Sequence, residues 1–195
     1  MKGHLVELIC ARLEAEMTAA AVERNAGIRE QLPDAHLYAD GLSAMTRGHF
    51  LGPHIDNSHD GQRKLNRTLN LLHYVTPGWT LVNGGNLELW DRGVHRHTTP
   101  ASAFNRLAIM ETNSWSWYSV SEMVADGERC CVSNNYFSPR LPTGKDYFNI
   151  TAFSARPRQK QKRALDRPDG RLRQAVRRVV PRGLGRRDVY GGPPR

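Results

Sequence analysis

Two polar residues two positions apart, His54 and Asp56 in the stretch FLGPHIDNS, mark the first place where this sequence could concentrate chemistry. On a β-strand, side chains at i and i+2 leave the same face, so an imidazole and a carboxylate spaced this way converge on one point. Both groups are ligands for divalent transition metals. The dipeptide pattern is short, however, and alone it fits a surface loop better than a metal site. Other polar residues are equally ambiguous taken singly. Arg129, which opens the run RCCVSNNYFS, reads by itself as a solvated arginine at a strand start, and Tyr74 in RTLNLLHYV as a core tyrosine with its hydroxyl at the surface. His59, His73, His95 and His97 show no ligand spacing, and HRH at 95–97 reads as an exposed hairpin. Gly84-Gly85 reads as a turn, and Trp79 and Trp90 as core residues. Cys130 and Cys131 are adjacent, so on a strand they point to opposite faces, which argues against a zinc pair.

The elements that must position these groups are mostly strands. Leu5, Leu8, Ile9 and Leu13 recur at helical spacing, so residues 3–30 read as one or two helices, broken at Pro33 and Asp34. From His36 to Ser154 the pattern changes to short β-type runs separated by Gly, Pro, Asn and Asp. The runs are HLYADGLSAM, RTLNLLHYV, GNLELWD, FNRLAIME, SWSWYSV, RCCVSNNYFS and DYFNITAFS. So many short strands in a span of this length predict a mainly β fold, a double-sheet jelly roll. The expected organisation is an N-terminal helical support (1–33), a β core (34–154) and a basic C-terminal helix with a flexible tail (155–195).

Charge separates the same regions. From Ala155 onward there are fourteen Lys plus Arg against three Asp, so the net charge of +9 belongs to the tail and the body is nearly neutral. Leu172, Val176, Val179 and Val180 form an apolar stripe in that tail, which favours a helix packed on the barrel over a nucleic-acid-binding arm. No run of eighteen apolar residues exists, so no membrane-spanning helix is expected. The N-terminus reads as an amphipathic helix and not a signal peptide. Three cysteines without a spaced framework point to reduced thiols and a cytoplasmic location.

Read together, H-x-D, the strand R-x-L-x-x-L-x-Y, the strand GG-x-L-x-L-W, the N-R-L of FNRLAIME and an arginine opening a later strand form an ordered set over His36 to Ser154. That order resembles the prolyl 4-hydroxylase-like branch of the Fe(II)- and 2-oxoglutarate-dependent oxygenases. The resemblance implies a double-stranded β-helix whose open mouth holds iron on a facial triad of two histidines and one carboxylate. It makes His54 and Asp56 the first two ligands. It makes Arg129 the bidentate partner of the far carboxylate of 2-oxoglutarate, with Ser133 four residues on and Tyr74 as further co-substrate contacts. It also implies a small-molecule or peptidyl substrate and a hydroxylase-type reaction.

At the third ligand the sequence departs from the family pattern. The family places a histidine in an S-aromatic-H-x-V arrangement about ten residues before the co-substrate arginine; here the stretch is SWYSV, with Tyr118 in the histidine position. No histidine follows His97. Three readings are open: Tyr118 ligates iron as a phenolate, iron is held by His54 and Asp56 alone, or the fold persists as a binding module without the reaction. A more distant histidine, His73, His95 or His97, is a further candidate for the missing ligand.

Overall fold

The structure is a computed structural model, and it describes residues 19–34, 41–61, 64–142, 144 and 147–159. Cys10, most of the N-terminal helical region and the basic helix expected around residues 172–180 lie outside the described residues. Among the described residues, ten strands form two five-stranded antiparallel sheets. In the first, β9 (Arg129–Ser138) pairs along one edge with β1 (Leu32–Pro33) and β2 (Gly41–Met45), and along the other with β4 (Asn66–Tyr74), which is followed by β7 (Arg106–Glu111). The second runs β10 (Ala152–Phe153), β3 (Leu51–Ile55), β8 (Tyr118–Val120), β5 (Leu87–Trp90) and β6 (His97–Thr98). From β2 onward the chain steps back and forth between the sheets, which is the winding of a jelly roll. The expected fold is the observed one.

Both faces of the first sheet are covered, which is why its strands carry apolar residues on both sides. On the outer face, Leu69, Leu71 and Tyr136 pack with Val22 of helix α1 (Ala19–Ala26) and with Ile28. On the inner face, Met110 with Leu72 and Ala108 meets Leu87, Leu89 and Tyr118 of the second sheet. This inner core closes one part of the barrel and leaves the polar residues to line the rest.

Strict alternation breaks at one place that matters for the site. Leu69 lies opposite Tyr136, but Arg67 lies opposite Phe137, so the register shifts by a bulge between them. Without the bulge Arg67 would share the outward face of Leu69 and Leu71. With it, the side chain joins Phe137, its guanidinium carbon 5.8 Å from that ring, and turns toward the barrel mouth.

Candidate metal centre and co-substrate pocket

His54 near the end of β3 is the direct partner of Tyr118 on β8, so both rings leave the same face, with centroids 4.1 Å apart. Asp56 follows just beyond the strand. His54 Nδ1 lies 3.0 Å from the Gly52 carbonyl oxygen. Assigning the ring proton to that nitrogen leaves the Nε2 lone pair facing Asp56 Oδ1 at 3.9 Å, the arrangement a metal-binding imidazole adopts. Burial pulls the His54 pKa below its ordinary value, outweighing the opposing charge of Asp56, so the ring is neutral at neutral pH.

The other carboxylate oxygen is already engaged. Asp56 Oδ2 accepts a hydrogen bond from the Tyr118 hydroxyl at 2.8 Å and pairs with Arg67 Nη1 at 3.1 Å. The amide of Asn70 donates to the Tyr118 hydroxyl oxygen at 3.3 Å. Burial, and then the adjacent Asp56 charge, hold the Tyr118 pKa well above the ordinary phenol value. Tyr118 is therefore a phenol whose proton points at Asp56. Arg67 is almost fully buried, yet its Nε and Nη2 have no hydrogen-bond partner, and neither does Asn70 Oδ1. Buried polar atoms are rarely left so. They mark a place built for an additional polar occupant.

Arg129, Ser133 and Tyr74 lie on the inner face of the first sheet. Tyr74 is opposite Cys131 and Leu72 opposite Ser133, so strand alternation puts all three site residues on one face. The Arg129 guanidinium is buried, its carbon 5.3 Å from the Tyr74 ring, and among the described residues no carboxylate lies within ion-pair distance of it. Nη2 lies 2.9 Å from the Met45 sulfur, a weak acceptor, and Nε has no partner. A buried, unpaired guanidinium is an anion site in waiting. The Tyr74 pKa is raised, mainly by burial, while the Ser102 and Arg129 side chains approach its hydroxyl. Ser133 is on the right face, but its hydroxyl donates to the Gly41 carbonyl at 3.3 Å and makes no bond to Arg129.

None of the distant histidines completes a triad. His73 Nε2 lies 3.3 Å from Asn105 Oδ1 at the exposed side of β4. His97 Nε2 is 3.7 Å from Glu88 Oε1, on the opposite face of β5 from Leu87 and Leu89. Among the described residues no three His, Cys, Asp or Glu converge on one point.

Four site residues escaped the sequence reading. Arg67 and Asn70 sit in a strand whose inward face could not be known before the bulge was seen. Ser102, buried in a loop, donates to the Gly85 carbonyl at 3.2 Å and lies beside Tyr74. Gly85, expected to be only a turn residue, has φ +63°, and a Cβ there would stand 2.4 Å from the Met123 sulfur and 3.2 Å from Arg129 Cδ. The glycine makes room for the arginine.

A jelly roll with a His-x-Asp pair at its mouth and an unpaired arginine within it defines a class: non-haem metal oxygenases that use an anionic co-substrate. Residues 41–137 match the model of the 2OG-Fe(II) oxygenase superfamily, and across that core the chain belongs to it. Among solved structures, a prolyl 4-hydroxylase from Phytophthora capsici matches with a TM-score of 0.50 and 19% identity, covering 89% of this chain and 55% of that one. The chain thus spans about half the length of that protein, and the likeness is one of fold. A viral collagen prolyl hydroxylase from Paramecium Bursaria Chlorella virus-1, in complex with 2-oxoglutarate, matches at TM-score 0.47 with 10% identity over 69% of this chain and 73% of its own. A comparison with curated protein sequences finds no significant match. Among the described residues no helix is long and apolar enough to cross a membrane.

Fe(II) and 2-oxoglutarate are the metal and co-substrate of the superfamily. The neutral Nε2 of His54 and the free Oδ1 of Asp56 fit two metal positions, and unpaired Arg129 fits a carboxylate. Tyr118 stands beside the His54 and Asp56 pair, its hydroxyl donating to Asp56.

Proposed function

We propose that the chain is a prolyl 4-hydroxylase-like, Fe(II)- and 2-oxoglutarate-dependent oxygenase whose metal is held by two side chains, His54 and Asp56. Tyr118 serves as a hydrogen-bond donor to Asp56 and not as a ligand. The observation that carries this reading is the 2.8 Å hydrogen bond from the Tyr118 hydroxyl to Asp56 Oδ2, opposite the oxygen that faces His54. When bound, the iron supplies oxidative decarboxylation of 2-oxoglutarate to succinate and oxidation of a substrate C–H bond.

The chain's own residues do the positioning. Gly52 fixes the tautomer and tilt of His54, while Tyr118 and Arg67 hold Asp56 so that a single oxygen is presented. Arg129, with Tyr74 beside it, grips the far carboxylate of the co-substrate; Ser133 would join by turning its hydroxyl from Gly41. The inner apolar cluster around Met110 and Leu87 excludes water from that end. The substrate class is a small molecule or a peptidyl group.

The competing reading is an oxygenase fold that binds but does not turn over, and the absent third ligand favours it. Incubation with Fe(II), 2-oxoglutarate and air decides between them. Succinate formation that disappears in Asp56→Asn and Arg129→Met supports the oxygenase. Retained 2-oxoglutarate binding with no succinate, in the presence of bound iron, supports the binding module.

A further inference from the structure

The proposed metal site contains a cation of its own. Arg67 is 2% exposed, and among the described residues Asp56 is the one carboxylate within ion-pair distance of it. The bulge between Arg67 and Leu69 brings it there, and the Phe137 ring covers one side of the guanidinium. A buried guanidinium requires a counter-charge, and so does a carboxylate at the floor of a barrel mouth. A divalent ion seated between His54 Nε2 and Asp56 Oδ1 would need the same negative charge that Arg67 already neutralises. Tyr118 contributes a proton to this group and no charge, so the protein's net contribution around the ion is one carboxylate against one guanidinium.

We propose that Arg67 is the stand-in cation of the metal-free site: it compensates Asp56 when no ion is bound, and an incoming divalent ion must share Asp56 with it. This inference rests on the reading that His54 and Asp56 hold the metal. Two consequences follow. The fold tolerates the absence of metal, because Asp56 is never left uncompensated. Metal affinity becomes contingent on an anionic co-ligand, because the protein alone offers the ion no net negative charge; the 2-oxoglutarate dianion supplies it. By linkage, the metal must raise 2-oxoglutarate affinity by the same factor.

The test uses the full-length protein with Mn(II), read by calorimetry and by thermal melts with and without the ion. Wild type is expected to bind Mn(II) weakly alone and at least about tenfold tighter with 2-oxoglutarate. Arg67→Met should melt lower than wild type without metal, gain more from Mn(II), bind the ion at least about tenfold tighter in the absence of 2-oxoglutarate, and show a smaller co-substrate effect. Arg67→Lys, which keeps the charge, should bind Mn(II) alone as wild type does. If metal-free Arg67→Met does not fold, its recovery by Mn(II), and of fold without Mn(II) binding in Arg67→Met/Asp56→Asn, supports the same conclusion. Weaker Mn(II) binding by Arg67→Met, by the ~10–100-fold typical of lost ligand-orienting groups, would overturn it and leave Arg67 merely holding Asp56 in place. Equal Mn(II) gains in wild type and Arg67→Met also overturn it while leaving the metal site intact. No Mn(II) binding by either protein, with 2-oxoglutarate present, removes the metal reading and this inference with it.

Discussion

Gly85→Ala should damage both stability and co-substrate binding, and its size can be worked from the structure. Gly85 has φ +63°, where a side chain costs about 1–2 kcal/mol of backbone strain. The new Cβ would lie 2.4 Å from the sulfur of Met123, which is 1% exposed and has no room to retreat. Overpacking of that kind adds roughly 1–3 kcal/mol, for a total of about 2–5 kcal/mol. A domain of this size loses roughly 2–4 °C of melting temperature per kcal/mol, so the expected fall is about 4–20 °C. The same Cβ sits 3.2 and 3.3 Å from Arg129 Cδ and Nε, so the guanidinium must shift by a few tenths of an ångström. Losing one well-aligned hydrogen bond from a charged donor, about 1.5–3 kcal/mol, weakens 2-oxoglutarate binding roughly 10- to 100-fold. Thermal melts and calorimetry of Mn(II)-loaded protein with 2-oxoglutarate measure the two effects. Gly48→Ala is the control, since Gly48 has φ +81° and nothing within 4 Å of its Cβ; it should show the backbone cost alone. A Gly85→Ala protein no less stable than Gly48→Ala, or one with unchanged 2-oxoglutarate affinity, would refute the claim that Gly85 makes space for Arg129.

Further predictions concern the metal site and the C-terminal arm. Tyr118→Phe strands the Asn70 amide and removes a donor from Asp56, so urea denaturation should show a loss of about 1–3 kcal/mol, with metal binding retained. Because burial lowers the His54 pKa, the unfolded chain takes up this proton first as pH falls through 6.5; urea midpoints should be flat in this group above that value, fall below it, and lose that part of the slope in His54→Gln. Arg156 Nη1 lies 2.8 Å from buried Glu88 and helps hold the arm bearing Phe153, which stacks on His54 at 5.4 Å. Arg156→Met should cost about 1–3 kcal/mol, because Glu88 loses its nearest cation but keeps the Ser119 hydroxyl and His97, with part of the loss recovered in Arg156→Met/Glu88→Gln, as thermal melts will show.

How much of the site was legible in the sequence follows from which residues obey local rules. His54 and Asp56 come close to obeying one: i and i+2 share a face in a strand, and although Asp56 falls just past the end of β3 the structure places the two side chains together. Arg129 and Tyr74 were singled out by the family resemblance and not by any local rule, and β9 and β4 bring them to one inner face. The jelly roll itself was readable from the succession of short runs, although β3, with Gly52 and Pro53 inside it, and the two-residue strands β1 and β6 carry too little β-pattern to be counted. Arg67 was illegible for a physical reason. Alternation from Leu69 and Leu71 puts it outside, and only the bulge reverses it. Glu88 and Arg156 pair over a long sequence separation on the outer face of the second sheet, which no local pattern encodes. For Tyr118, the sequence supplied the position and the structure supplied the hydrogen bond to Asp56 on which the proposed donor role rests.

The central claim, a metal held by His54 and Asp56 with Tyr118 as a donor, is tested most directly by comparing anaerobic Fe(II) affinity, with 2-oxoglutarate present, in wild type and Tyr118→His. The account predicts that the histidine, restoring a third neutral nitrogen ligand opposite His54, tightens Fe(II) binding at least about tenfold. Weaker binding by Tyr118→His, with an intense visible phenolate band in the oxidised wild-type protein and none in the variant, would contradict it and make Tyr118 the third ligand.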